Sequence, residues 1–193
     1  MAKAGGRRRF GASQKDRIFF AALPDADTAA RITALAQELK AGNGFTGTLI
    51  LPEHLHVTLF HLGDWHELPL EIVRIASEAA ARVAAAPFAV TFKRAESFRN
   101  RTEIYPFVLS GDAAPWRPLR EALGAALKSA GLGGAVHAED DFKPHVTLLR
   151  DAKRAKAAAV APPIAWTVRD FVLIHSLLGK TTHIHLGRWP LTG

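Results

Sequence analysis

One tetrapeptide is written twice in this chain, as His56-Val57-Thr58-Leu59 and again as His145-Val146-Thr147-Leu148. With 9 histidines among 193 residues, a lone His-x-Thr turns up by chance in about every second such chain. The full tetrapeptide is expected only about 0.003 times. The repetition is therefore the signal. In a strand, alternate side chains share a face, so each His points the same way as the Thr two residues on. Two such strands brought together would converge two imidazoles and two hydroxyls on one groove. One neutral imidazole can take a proton from water while a protonated one gives a proton to a departing oxygen. The hydroxyls can donate to the non-bridging oxygens of a phosphate, where negative charge gathers. This set suffices for in-line phosphodiester cleavage without a metal. Strand-formers filling strand positions would explain one copy of the motif, but sheets have no need of this identity twice.

The surrounding elements must hold these strands. Arg17–Leu23 is an apolar run of strand length stopped by Pro24. Asp25 or Asp27 can cap a helix with apolar positions Ile32, Leu35, Ala36 and Leu39, ended by glycines at 42 and 44. Leu55–Leu62 reads as a strand closed by Gly63-Asp64, and Glu67–Ala86 as a helix ended by Pro87. Strands follow over Phe88–Phe92 and Ile104–Ser110, then a helix over Pro115–Ala130 with Pro118 in its first turn. Val146–Leu149 is the second motif strand, and the Ala-rich Asp151–Ala161 reads as a solvated helix. Ile164–Ile174 and His183–Trp189 form an antiparallel pair turned at Leu178-Gly179-Lys180. Each half thus carries a helix and a copy of the motif, within one α+β unit of two lobes over residues 17–193.

Bulk properties remove several classes of function. There is no cysteine, hence no disulfide, thiolate nucleophile or cysteine zinc site. No apolar run reaches the roughly 18 residues of a membrane span, and the basic start lacks an apolar signal core. A cytoplasmic location is expected. The net charge of +7 sits mostly at the start, where residues 1–17 carry +5. Residues 1–16 are expected to be a disordered basic tail, and the overall charge is weak evidence for a nucleic-acid partner.

Four stretches go further: RIFFAALP at 17–24, LHVTLFHLG at 55–63, FKPHVTLLR at 142–150 and LGRWPL at 186–191. With the paired His-x-Thr motifs they resemble the 2H phosphoesterases, in particular the RNA 2′,3′-cyclic phosphodiesterases historically called 2′-5′ RNA ligases. The resemblance implies an α+β, bilobal, pseudo-twofold fold of two antiparallel sheets with flanking helices around a central groove. It implies RNA ends bearing a 2′,3′-cyclic phosphate, or cyclic nucleotides, as substrates. These would be opened to a 2′-phosphomonoester, and some members also join RNA halves through a 2′-5′ linkage. Carried onto this chain, His56 is the proton donor to the 3′ oxygen and His145 the acceptor from water. That direction rests on the family, because the two motifs are too alike to distinguish. Thr58 and Thr147 would hold the phosphate, and Arg150 would pair with a phosphate oxygen or stack on a base. His61 stands where members more often have Phe, and His183 where Tyr is common; both are expected to line the substrate groove. No cofactor is called for, and a monomer is expected.

Other groups carry weaker signals. His54, His56 and the His183-x-His185 pair could be read as metal ligands, but no acidic or cysteine partner has convincing spacing, and no metal is assigned. Phe19, Phe20 and Phe142 could stack on bases, though strand aromatics are more often core. Gly131-x-Gly133-Gly134 does not follow a strand and is no phosphate loop. Two rival readings stand beside the enzyme: an RNA-end binding module with incidental catalysis, and a phosphodiesterase of 2′-5′-linked oligonucleotides or other small cyclic phosphates.

Overall fold

The computed structural model describes residues 15–136 and 142–192. Two four-stranded antiparallel sheets form from eight strands. Chain order is β1 (Asp16–Ala22), α1 (Ala26–Asn43), β2 (Val57–Trp65), α2 (Leu70–Ala80), β3 (Phe88–Ser97) and β4 (Tyr105–Gly111). Then come α3 (Arg117–Ser129), β5 (His145–Asp151), β6 (Ala158–Val168), β7 (Asp170–Leu177) and β8 (Thr182–Pro190). The strand orders are β2-β1-β7-β8 and β5-β4-β3-β6. This is the α+β architecture of paired antiparallel sheets that the resemblance implied. The segments β1-α1-β2 and β4-α3-β5 repeat one plan, in which the motif strand lies at a sheet edge beside the strand that precedes the helix.

The two lobes exchange helices. From α3, the Arg120 guanidinium lies 4.4 Å over the ring of Phe60 on β2 and donates to the Leu59 carbonyl. Gly124 sits where an added Cβ would touch the same Phe60 ring at 3.3 Å. Reciprocally, α1 packs on β5 and β6 of the other sheet. That helix is capped by Asp25, whose Oδ1 accepts the Thr28 N–H at 2.7 Å, and stopped by Gly44 at φ +62°. The chain leaving it hugs β5. A Cβ on Gly47 would stand 2.0 Å from the Arg150 carbonyl oxygen, so only glycine permits this approach. The Asp151 carboxylate ties down the Thr46 and Gly47 N–H groups at 2.7 and 2.6 Å, and the Ile50 N–H donates to the Leu148 carbonyl at 2.7 Å. One continuous core results, holding Ile18, Phe20, Phe92, Phe107, Trp116, Leu123 and Phe171. Each such side chain contributes about 1.5–3 kcal/mol gross on burial.

Several boundaries differ from expectation, among them that of the strand expected over Phe88–Phe92, which runs on to Ser97. Ile164–Ile174 is not one strand: β6 ends at Val168 and β7 begins at Asp170, in the other sheet. β6 alternates buried and exposed as a sheet edge does, while β7, in a sheet centre, is buried on both faces. The Asp151–Ala161 helix is absent, because Ala158 and Ala159 pair with Ala95 and Arg94 of β3; sheet pairing overrides a weak alanine propensity. The first motif strand does not close at Gly63-Asp64 but runs to Trp65 through an irregularity opposite Ile18 and Phe19. α2 is confined to Leu70–Ala80, starting after Pro69 and ending well before Pro87. Of the basic tail expected over residues 1–16, residues 1–14 lie outside the described residues, and Asp16 already belongs to β1. Among the described residues, no helix is long and apolar enough to cross a membrane.

Candidate active site

The motif strands do not share a sheet. β2 and β5 are edge strands of separate sheets, and the two edges face each other across a cleft of about 420 Å³. All seven residues singled out in the sequence line it: His56, Thr58, His61, His145, Thr147, Arg150 and His183. Thr58 lies opposite Ala21 on β1 and Thr147 opposite Val108 on β4, so small or apolar neighbours leave each hydroxyl on the groove face.

Backbone carbonyls orient both imidazoles in the same way. His56 Nδ1 is 2.7 Å from the His54 carbonyl oxygen, and His145 Nδ1 is 2.7 Å from the Lys143 carbonyl oxygen. A carbonyl can only accept, so each Nδ1 carries the proton and donates. Each Nε2 is left for the cleft, a lone pair when the ring is neutral and a donor when it is protonated. An aromatic ring backs each histidine: Phe19 lies 5.0 Å from His56, and Phe98 stands edge-on 5.0 Å from His145.

The electrostatics favour neutral rings. Burial is the largest influence on His56, and with repulsion from His145, His54 and Arg150 it pushes the imidazole down to about 4, against the upward pull of the His54 carbonyl. His145 also lies below its ordinary value, through burial and then Arg150. Burial again, with His56 and His54 nearby, holds His183 down at about 4. At neutral pH these imidazoles are bases rather than acids.

Several neighbours had no signal of their own in the sequence. Arg17 lines the cleft, fixed by two 2.7 Å bonds from Nε and Nη2 to the Asp64 carboxylate. His61 Nε2 lies 3.0 Å from the same carboxylate. The bond from Arg17 comes first in holding Asp64 far below the usual carboxylate range. The strand's continuation past Gly63 creates this arrangement, by setting Asp64 directly opposite Arg17. Arg150 is exposed and stands five residues after its histidine, as His61 does after His56. His54, a metal-ligand candidate by sequence, holds its ring 4.4 Å from that of His183, tilted by 47°. Among the described residues, no group of three or more histidines and carboxylates is placed to hold a metal ion. Phe20 is core, and Phe142 lies under the Arg120 guanidinium at 4.0 Å, so neither faces the cleft; Phe19 does. Gly133 and Gly134 belong to a single helical turn ending at Ala135.

A family model described as the 2′-5′ RNA ligase superfamily matches residues 23–180. The chain is 31% identical over 152 residues to the RNA 2′,3′-cyclic phosphodiesterase of Escherichia coli (strain K12), covering 76% of this chain and 81% of that one. The crystal structure of E. coli LigT complexed with 3′-AMP superposes with a TM-score of 0.67 at 26% identity, over 94% of this chain and 100% of that chain. The crystal structure of TT0787 of Thermus thermophilus gives a TM-score of 0.72 over 91% and 97% of the two chains. At 23% identity it speaks for the fold alone.

Proposed function

This chain belongs to the 2′-5′ RNA ligase superfamily, and we propose that it hydrolyses 2′,3′-cyclic phosphate at RNA ends to a 2′-phosphomonoester by two-histidine acid–base catalysis. The observation that carries the proposal is the matched pair of Nδ1–H bonds to backbone carbonyls, which leaves both Nε2 atoms for a group between the sheets. His145 Nε2 takes a proton from water, whose oxygen attacks phosphorus. The bond from phosphorus to the 3′ oxygen breaks, and His56 Nε2 delivers its proton to that oxygen. Thr58 and Thr147 donate to the non-bridging oxygens as charge builds there. Arg150, whose charge disfavours both imidazolium forms, is neutralised when it meets the phosphate. The anion thereby raises His56 toward the range where it can act as an acid.

Arg150, His61 and His183 are proposed to contact substrate, Arg150 at phosphate and the two histidines against the nucleoside. The chemistry routes no step through a metal, and the active unit is proposed to be a monomer. Its location is proposed to be cytoplasmic. Attack by a ribose 5′-hydroxyl in place of water would form a 2′-5′ linkage in the same cleft, so ligation needs no further group.

The test is hydrolysis of nucleoside 2′,3′-cyclic phosphates and a cyclic-phosphate-ended RNA in EDTA, with the product isomer identified. A 2′-phosphate is expected. A 3′-phosphate would reverse the leaving oxygen, and loss of activity in EDTA would bring a metal into the mechanism. Tight binding of the RNA end without turnover would favour the binding-module reading, and turnover confined to 2′-5′-linked oligonucleotides would move the substrate.

A further inference from the structure

Beside the catalytic cleft lies a second, larger groove of about 920 Å³ on the face of the β5-β4-β3-β6 sheet. Four cations line it: Arg94, Arg99, Lys143 and Arg154, all exposed. Arginines on a surface are usually solvated or ion-paired, as Arg74 is with Glu71 and Glu78. Here no described carboxylate pairs with any of the four. The two carboxylates in the groove are already engaged, Glu96 by the Ser110 hydroxyl at 2.6 Å and Asp112 by the Ala114 N–H at 3.1 Å. Arg154 lies against the Tyr105 ring at 5.2 Å, which leaves its charge uncompensated. The groove carries an excess of positive charge over a polar floor.

Its position gives that charge a direction. Arg94 stands opposite Ser110, and Ser110 opposite His145, so the three side chains form one row on one face. Two strand spacings put Arg94 roughly 10 Å from the catalytic edge. Phe98 and Lys143 link the groove to His145. Phe98 lines the groove and stands edge-on to His145, while Lys143 lines the groove and its carbonyl orients that histidine. The corresponding face of the other lobe differs, for Phe19, Ala21, Val172 and Ile174 make its floor apolar and buried.

We propose that this groove is a track for the sugar–phosphate backbone of the strand whose cyclic-phosphate end is in the cleft. The track makes the substrate an oligonucleotide rather than a mononucleotide, and in this it rests on the activity proposed above. The phosphate on the 5′ oxygen of the terminal nucleoside and those preceding it pass over Phe98 and meet Arg94, Arg99 and Arg154. Such contacts are indifferent to sequence and sensitive to salt, since each phosphate neutralised releases counterions.

The experiment compares the wild type with R94Q/R99Q/R154Q on two substrates, a nucleoside 2′,3′-cyclic phosphate and a single-stranded RNA of about six nucleotides ending in the same group. The variant is expected to lose roughly tenfold or more in kcat/KM on the RNA, with a salt slope lower by about 2, and to turn over the mononucleotide unchanged. Equal losses on both substrates, or none on the RNA, would overturn the track. Equilibrium binding of the same RNA, measured by fluorescence anisotropy in an H145A background, separates the two proposals. Absence of turnover in the wild type would sink the activity, whereas the track fails if the triple change leaves RNA binding and its salt dependence as they were.

Discussion

The two motif strands are alike in what they build and unlike in where they build it. Each histidine donates Nδ1–H to the carbonyl two residues back at 2.7 Å, and each has a phenylalanine ring at 5.0 Å. Around His56, however, stand the rings of His183 and Phe19 and the backbone of His54, with Arg17 and His61 tethered to Asp64 nearby. Around His145 the cleft opens onto cations that no described carboxylate pairs. The shared geometry comes from a repeated strand-helix-strand plan. The differing surroundings come from the neighbours that each sheet brings to its edge. A repeated fold can thus give two identical side chains different surroundings without changing either motif.

The largest expected effect tests that asymmetry directly. His56→Ala and His145→Ala should each lower kcat by about 10²–10⁴-fold. With a substrate whose 3′ oxygen is replaced by sulfur, a far better leaving group, His56→Ala should recover most of its rate and His145→Ala should not. Recovery in the other variant would exchange the two roles, and equal recovery would dissolve the comparison.

Next in size are the hydroxyls. Thr58→Ala and Thr147→Ala should each cost roughly 10- to 1,000-fold in kcat with little change in KM, because charge on the phosphate oxygens peaks in the transition state. A pure KM effect would make them ground-state contacts.

Arg150 and His61 occupy the same place five residues after their histidines, and replacing them sharpens the contrast. Arg150→Ala should raise KM by about tenfold, the loss of one charge-assisted contact to phosphate. Because the Arg150 charge disfavours both imidazolium forms, its removal should move the acid limb of the pH–rate profile upward. His61→Ala should leave that limb in place. An unmoved limb in both variants would detach Arg150 from the pair.

The smallest effect is on stability. His56 and His183 at about 4, and His145 below its ordinary value, bind fewer protons in the folded protein than in the unfolded chain. Their contribution is full above the ordinary 6.5 and is lost as pH falls through the window from there to about 4. The melting temperature should therefore drop by roughly 2–6 °C between pH 7 and pH 5, and His56→Gln should flatten that slope. A slope unchanged in the variant would mean that His56 is more hydrated than its place suggests.

The residues that line the cleft were more legible in the sequence than their setting. The duplicated His-Val-Thr-Leu pointed to the cleft because a period of two puts His and Thr on one face, and that local rule survives any tertiary context. Arg17 could not be read as a groove residue. Its place depends on Asp64, and Asp64 depends on a strand running through Gly63, a residue that ordinarily signals a stop. The division between β6 and β7 was hidden for a related reason: apolar strand-formers continue across it, and only Arg169 and Asp170 interrupt them. The change from alternating burial in β6 to continuous burial in β7 marks the crossing once both sheets are known. Exchange of helices between lobes leaves no local trace, since either sheet would accept the apolar faces of α1 and α3.

The strand order has a consequence for how the protein is made. All four strands of one sheet lie within Phe88–Val168 and emerge from the ribosome in sequence. The other sheet must keep β1, synthesised before any of these, until β7 follows and pairs with it and β8 pairs in turn with β7. Asp16 is joined to His175 in a buried 2.7 Å bond across that closure. Loop closure on this scale is slow relative to local pairing, which favours pairing among the strands of the lobe that carries His145 before the other sheet closes. His56 gains the ring of His183 beside it only when β8 docks. The rings around His56 therefore come from strands far apart in the order of synthesis, β1 and β8, whereas the ring beside His145 comes from the segment just after β3.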